Sequence, residues 1–170
     1  MMRRCADTDF KAIESIINEA AVAYRGHIPS DCYHVPYMTG AALRAELDAG
    51  VSFWGWENEG ELVAVMGIER KRSVTLIRHA YTRTSWQGRG LGSQLLDLLI
   101  GQAQGPLLIG TWAGATWAIE FYQRRGFEML PPATAAPLLD KYWRVPPRQK
   151  EPEVSVVLAH RERPLPEDTP

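Results

Sequence analysis

The chain has 170 residues, 45% of them hydrophobic and 23% charged, with 19 basic against 20 acidic side chains. That length and balance describe one globular domain with a core of its own, and a formal charge of −1 gives no electrostatic case for nucleic acid or a membrane surface as partner. Cys5 and Cys32 form no paired motif and no window reaches 18 uninterrupted apolar residues, so neither a disulfide framework nor a membrane-spanning helix is expected.

The first ten residues, MMRRCADTDF, have two arginines but no apolar stretch behind them, which is not the pattern of a secretory leader; a cytoplasmic protein is the default expectation. Residues 9–24 place Phe10, Ile13, Ile16, Ile17, Ala20 and Tyr24 at helical spacing. The stretch 25–40, RGHIPSDCYHVPYMTG, breaks that pattern with two prolines and two glycines and reads as a loop or a short irregular helix. A short helix over 41–49, closed by Gly50, comes next.

Residues 51–57, 61–70 and 73–82 are strand-like runs separated by short turn signals, an antiparallel meander. A glycine turn then feeds a helix over 90–103, which Gly105-Pro106 ends. Residues 107–112, LLIGTW, are nearly all apolar, as a buried central strand should be. A helix over 115–125 has Gly126 at the place of a left-handed cap, and 127–130 begin a further strand. ATAAPLLDKYW is ambiguous, 153–160 read as a late strand, and the polar, proline-rich tail 161–170 is expected to be disordered. The order of helix, three meandering strands, helix, strand, helix and strand describes a mixed α/β sandwich around one sheet.

The chemistry concentrates at residues 84–100, TSWQGRGLGSQLLDLLI. Glycines before a helix let backbone N–H groups approach an anion, and the helix dipole adds partial positive charge. Two familiar phosphate loops do not fit. The spacing is G-x-G-x-G after a meander, not G-x-G-x-x-G after the first strand of a βαβ unit, and no lysine follows the second glycine. What fits is Gln87-x-x-Gly90-x-Gly92, which resembles the signature of the GNAT superfamily of N-acetyltransferases, Gln/Arg-x-x-Gly-x-Gly/Ala. A second stretch, residues 115–130, resembles that family's Asn-x-x-Ala-x-x-Phe-Tyr-x-x-x-Gly-Phe helix through Ala118, Phe121, Tyr122, Gly126 and Phe127. The two motifs come in the family's order with one strand between them, and the resemblance covers most of residues 1–130.

The resemblance implies a single GNAT-like domain over residues 1–160, an α/β fold with a mixed, mostly antiparallel central sheet and helices on both faces, and a cosubstrate, acetyl-CoA, with no metal. It implies that the pyrophosphate lies on Gln87, Gly88, Arg89, Gly90, Leu91, Gly92 and Ser93, and that backbone at Ala80, Tyr81 and Thr82 meets the acetyl and pantetheine groups. Tyr122 matches the position of the family's general acid. Ala115 stands where the family commonly has an asparagine that touches the pantetheine arm.

Acetyl transfer to an amine whose pKa is near ~10 also needs a base or a desolvating pocket. The meander's last strand has no carboxylate, so His79 is the candidate base; a strand histidine is equally an ordinary structural residue. Alternation sets His79 opposite Ala80 unless a bulge intervenes, and sets Arg78 on Ala80's face, where it suits an acidic substrate group or a solvated ion pair. The loop with Tyr24, His27, Tyr33, His34 and Tyr37 lies where the family forms its acceptor pocket, so Tyr33, His34, Tyr37 and Arg78 are the acceptor-site candidates. His27, Cys32 and His34 match no usual zinc spacing. Tyr142, Trp143, Arg144 and Arg148 suit either the acceptor site or a homodimer interface. The expected activity is acetyl transfer from acetyl-CoA to a primary amine of a small molecule. A peptide amine, a non-catalytic acyl-CoA-binding module and a scaffold without a ligand are the alternatives.

Overall fold

The computed structural model of the protein describes residues 1–167. One sheet is built from β1 (Met2–Arg4), β2 (Ser52–Asn58), β3 (Glu61–Lys71), β4 (Val74–Thr82), β5 (Leu107–Trp112), β6 (Phe127–Met129) and β7 (Ser155–His160), in the spatial order β1-β2-β3-β4-β5-β7-β6. Neighbours run antiparallel except β4 and β5, the one parallel pair. The helices are α1 (Phe10–Ala20), α2 (Gly40–Asp48), α3 (Leu91–Gln102), α4 (Thr116–Arg124) and α5 (Pro132–Tyr142). Sheet and helices together are the mixed, mostly antiparallel α/β fold expected above from the element order and the resemblance.

Helical spacing decides which sheet face each helix covers. In α3 the run Leu95, Leu96 and Leu99 is fully buried against Met66, Ile77, Ile109 and Leu158, and α4 adds Ile119 and Tyr122 to the same cluster. On the other face, Ile13, Ile16 and Ile17 of α1 and Leu43 of α2 pack on Phe53 and Val65. The α5 segment extends that second face over β5 and β7, with Leu139, Tyr142 and Trp143 against Leu76, Leu108 and Val157. At its N-terminus α2 is capped by the Thr39 hydroxyl, which accepts from the Ala42 N–H.

Several elements differ from expectation. Strand β1 has no alternating apolar pattern in its three residues; it is held by pairing with Trp54–Trp56 and by the ion pairs of Arg3 with Asp9 and Glu57. The ambiguous ATAAPLLDKYW is helix α5, entered through Pro132 in its first turn, where a missing N–H costs nothing. Helix α1 stops at Ala20 and the chain tightens into a 3-10 turn to Tyr24, and a second such turn, Ser30–Cys32, lies in the irregular loop. Of the tail expected to be disordered, residues 168–170 lie outside the described residues, whereas the Arg163 carbonyl accepts from the Leu107 N–H and Leu165 packs beside α5. Among the described residues no helix is long and apolar enough to cross a membrane.

Candidate functional site

The parallel pair β4–β5 is short: Thr75, Leu76 and Ile77 face Leu107, Leu108 and Ile109, and there pairing ends. On its other edge, β4 carries one residue too many. Val65 faces Tyr81 and Gly67 faces Arg78, so His79 and Ala80 together oppose Met66. This is a β-bulge, with His79 at φ +55, in the left-handed region a side chain seldom adopts. Gly67 makes room for it: a Cβ there would lie 2.9 Å from the Arg78 carbonyl oxygen. Beyond the bulge β4 leans away from β5, and a cleft of about 910 Å³ opens between them.

The bulge also corrects the expected facing of side chains. Arg78 and His79, consecutive in sequence, lie on the same side of the sheet, and Ala80 packs on the opposite cluster beneath α3. Arg78 therefore does not share Ala80's face, and its ion pair is buried, not solvated, with only 7% of its side chain exposed.

At one end of the cleft lies the glycine turn. Gly88 and Gly90 both have φ +76, and α3 begins at Leu91 with no side chain capping its first turn. Its leading N–H groups thus point into open space that a Cβ at either glycine would not fill. Gln87, Gly88, Gly90, Leu91, Gly92 and Ser93 line the cleft beside Ala80, Tyr81 and Thr82. The Gln87 amide donates to the Thr82 carbonyl, stapling the turn to β4 and showing that this carbonyl faces away from β3. Arg89 is not part of the wall; its guanidinium lies 4.4 Å from the Trp86 ring.

Mid-cleft, α4 brings Phe121 and Tyr122 to the gap. The Tyr122 ring packs edge-on to Phe121 and Phe127, and its hydroxyl makes no hydrogen bond to another described residue. Burial pushes this phenol above its usual range, so it stays protonated at neutral pH. Ala115, at the position of the family's asparagine, is fully buried with Ile28, Trp112 and Val154, so it does not reach the cleft.

A cluster of buried charge flanks His79. Its Nε2 lies 2.8 Å from Glu46 Oε2, Arg78 reaches the same carboxylate at 3.2 Å and Glu69 at 3.3 Å, and Arg144 meets Glu69 at 2.7 Å. Desolvation is the largest single influence on Glu46 and acts to raise its pKa. The His79 hydrogen bond and the charges of Arg78, His79 and Arg144 outweigh it and hold the carboxyl at about 2. Desolvation lowers the His79 pKa, against the opposing pull of Glu46. A neutral imidazole beside an ionised carboxylate must donate from Nε2, which leaves Nδ1 with the lone pair.

At the far end the wall is aromatic. Tyr24, Tyr37, Tyr81, Trp112, Trp117 and Trp143 line it, together with His27 and Gln149. Burial, the main cause, raises the phenols of Tyr24, Tyr37 and Tyr81, so these rings carry no charge. Trp143 lies flat on β5 because residue 110 is glycine; a Cβ there would sit 2.8 Å from the indole. Gly114 lets the His27 carbonyl approach so closely that a Cβ would lie 1.7 Å from its oxygen, which seats the 25–40 loop on the turn before α4.

Of the sequence-derived acceptor candidates, Tyr37 and Arg78 are in the wall and Tyr33 and His34 are not: Tyr33 packs beside Ile28 and Trp112, and His34 is exposed. Arg148 is exposed and pairs with Asp31, and Tyr142, the last residue of α5, is buried against the sheet. Sequence reasoning missed Glu46, since one acid in an amphipathic helix has no motif. It also missed Trp112 and Trp117, which stand next to threonines in two TW pairs. Among the described residues no three His, Cys, Asp or Glu side chains gather as a metal-binding set.

The family described as "Acetyltransferase (GNAT) family" matches residues 13–127. No curated protein sequence matches the chain. Solved structures of similar fold include the ribosomal-protein-S18-alanine N-acetyltransferase of Escherichia coli, at 15% identity and TM-score 0.69, covering 100% of this chain and 98% of that one. An acetyltransferase of the GNAT family from Staphylococcus aureus Mu50 has 16% identity and TM-score 0.67, with 94% and 97% covered. The PaiA N-acetyltransferase of Thermoplasma acidophilum, in complex with coenzyme A, has 11% identity and TM-score 0.67 over the same shares.

Proposed function

The chain belongs to the acetyltransferase (GNAT) family, and from that premise we propose that it moves an acetyl group from acetyl-CoA to a primary amine by direct attack of the amine on the thioester. The observation that carries this reading is a single cleft joining an uncapped, glycine-led helix N-terminus to the Tyr122 ring through the gap between β4 and β5. Bound acetyl-CoA supplies the activated acetyl group.

Everything else is done by this chain. The amides of the Gly88–Ser93 turn and the α3 dipole hold the pyrophosphate, as an anion at a helix N-terminus requires. The backbone of residues 80–82, on the edge of β4 that no longer pairs with β5, orients the acetyl carbonyl and pantetheine in the parted strands. The His79 Nδ1 takes the proton that the amine loses as its nitrogen bonds to the acetyl carbon. Tyr122 gives its proton to the sulfur, which keeps the electron pair of the broken C–S bond. Glu46 is a positioning residue: it fixes the His79 tautomer and ring plane and touches no reactant.

Free-thiol release from acetyl-CoA, measured across amines, amino acids, aminoglycosides and peptides, tests the reading. Release that depends on an amine supports it. Binding of acetyl-CoA without thiol release for any of them sinks it in favour of a non-catalytic module.

A further inference from the structure

The far end of the cleft has a composition that selects its occupant. Tyr24 is the hub: its ring centroid lies 5.3 Å from Tyr37, 6.2 Å from Tyr81, 6.4 Å from Trp112 and 6.1 Å from Trp117. Four of these five rings pair off through their polar atoms. Tyr24 and Tyr81 share a hydrogen bond between hydroxyls at 3.4 Å, and the Trp112 indole donates to the Tyr37 hydroxyl at 2.8 Å. Apart from the Trp117 indole N–H at its outer edge and the His27 and Gln149 side chains beside it, what the wall offers a guest is ring surface.

Charge is missing from it. Among the described residues no Asp, Glu or Lys lines the cleft, and its one permanently charged lining group, Arg78, is matched by Glu46 and Glu69. A polyamine or a basic peptide would bring a second ammonium that finds no carboxylate, and an acidic amino acid would bring a carboxylate that finds no free cation. An apolar or aromatic body loses nothing on entry and gains ring contacts. Desolvation in such a site also favours the neutral form of the arriving amine, the form that attacks.

Building on the acetyl-transfer reading above, we infer that this wall is the acceptor subsite and that it takes a monoamine on an aromatic or otherwise apolar body with no second charge. Trp117 forms its outer edge, stacked near Tyr24 at an interplanar angle of 25° and 40% exposed, so it is removable without stripping the core.

The test is calorimetric titration of the CoA-saturated protein with 2-phenylethylamine, spermidine and glutamate, with thiol release from acetyl-CoA read on the same amines. Phenylethylamine should bind at least tenfold more tightly than the other two. Trp117→Ala should weaken it by fivefold or more, Trp117→Phe should largely restore it, and CoA affinity should be unchanged in both. Spermidine or glutamate binding as well as phenylethylamine, no binding by any of the three, or Trp117→Ala altering CoA affinity instead would overturn the subsite. Tight phenylethylamine binding without thiol release would keep the subsite and sink acetyl transfer. Release with spermidine or glutamate alone would do the reverse.

Discussion

Arg78 Nη2 and His79 Nε2, from consecutive residues of one strand, meet the same oxygen, Oε2 of Glu46, at 3.2 and 2.8 Å. In a regular strand they would point to opposite faces; the bulge brings both to one carboxylate. The arrangement ties a candidate base to a fixed charge, and its consequences are measurable.

Because desolvation depresses the His79 pKa, kcat/KM should rise with pH through a value below the ordinary 6.5 and then level off. Glu46 pulls that pKa upward, so Glu46→Gln should move the acid limb to still lower pH. It should also cut the plateau by about 10- to 100-fold, the usual cost of losing an orienting partner. An unshifted pH profile in Glu46→Gln would remove Glu46 from the mechanism.

The same pair sets acid stability. Glu46 falls from 4.5 in the unfolded chain to about 2 in the fold, so its contribution is complete above 4.5 and vanishes as pH drops through 2. That contribution is on the order of 3 kcal/mol. His79, also depressed, adds loss in the same direction as pH falls below 6.5. Urea unfolding midpoints should therefore drop steadily from pH 6.5 to pH 3, and less steeply in Glu46→Gln.

Tyr122→Phe keeps the ring and removes the proton. It should lower kcat by about 100-fold or more while leaving acetyl-CoA affinity within about twofold, given the typical worth of a general acid. Equal kcat for the variant and the parent would take Tyr122 out of the reaction.

Gly90→Ala puts a side chain at φ +76, at a strain of about 1–2 kcal/mol. Relieving that strain shifts the turn that presents the amides, although the added Cβ itself meets nothing within 4 Å. Acetyl-CoA Kd should rise by about tenfold or more, equivalent to roughly 1.4 kcal/mol, read by calorimetry. Amine KM should change little.

Gly114→Ala and Gly101→Ala make a matched pair. The first sets a Cβ 1.7 Å from the His27 carbonyl oxygen and should cost more than about 2 kcal/mol. The second meets nothing within 4 Å on a helix and should gain up to about 0.5–1 kcal/mol. Thermal unfolding distinguishes them, and only the first should raise amine KM.

Local signals in the sequence carry much of this fold. Glycine spacing marks the turn at 88–92 because backbone conformation there is encoded by residue type, and the Phe121-Tyr122 pair marks the helix beside the cleft. The leucines of α3 and isoleucines of α1 reveal their buried faces by period alone. The bulge at His79 was out of reach, since it arises from pairing with Gly67 across the sheet and nothing in TLIRHAYT announces it. Glu46 and Trp117 were hidden for the same reason: each becomes part of the site only when elements distant in sequence pack together. Tyr33 and His34 stand outside the wall because the outer turn of their loop packs elsewhere, and a run of rings in a loop does not tell its pocket face from its outer face.

The two halves of the sheet, β1 to β4 and β5 with β7 and β6, are laced together by only three rungs, Thr75 to Ile77. Past that point the seam stays unstitched, and the edge of β4 over residues 78–82 has no strand on its β5 side. A guest lying along that edge takes the place of the missing thread. If the cosubstrate lies there, its binding is a mechanical event as well as a chemical one: it closes the seam, stiffens one half of the sheet against the other, and should slow deuterium exchange along the whole of β4, back to the rungs at Thr75 to Ile77.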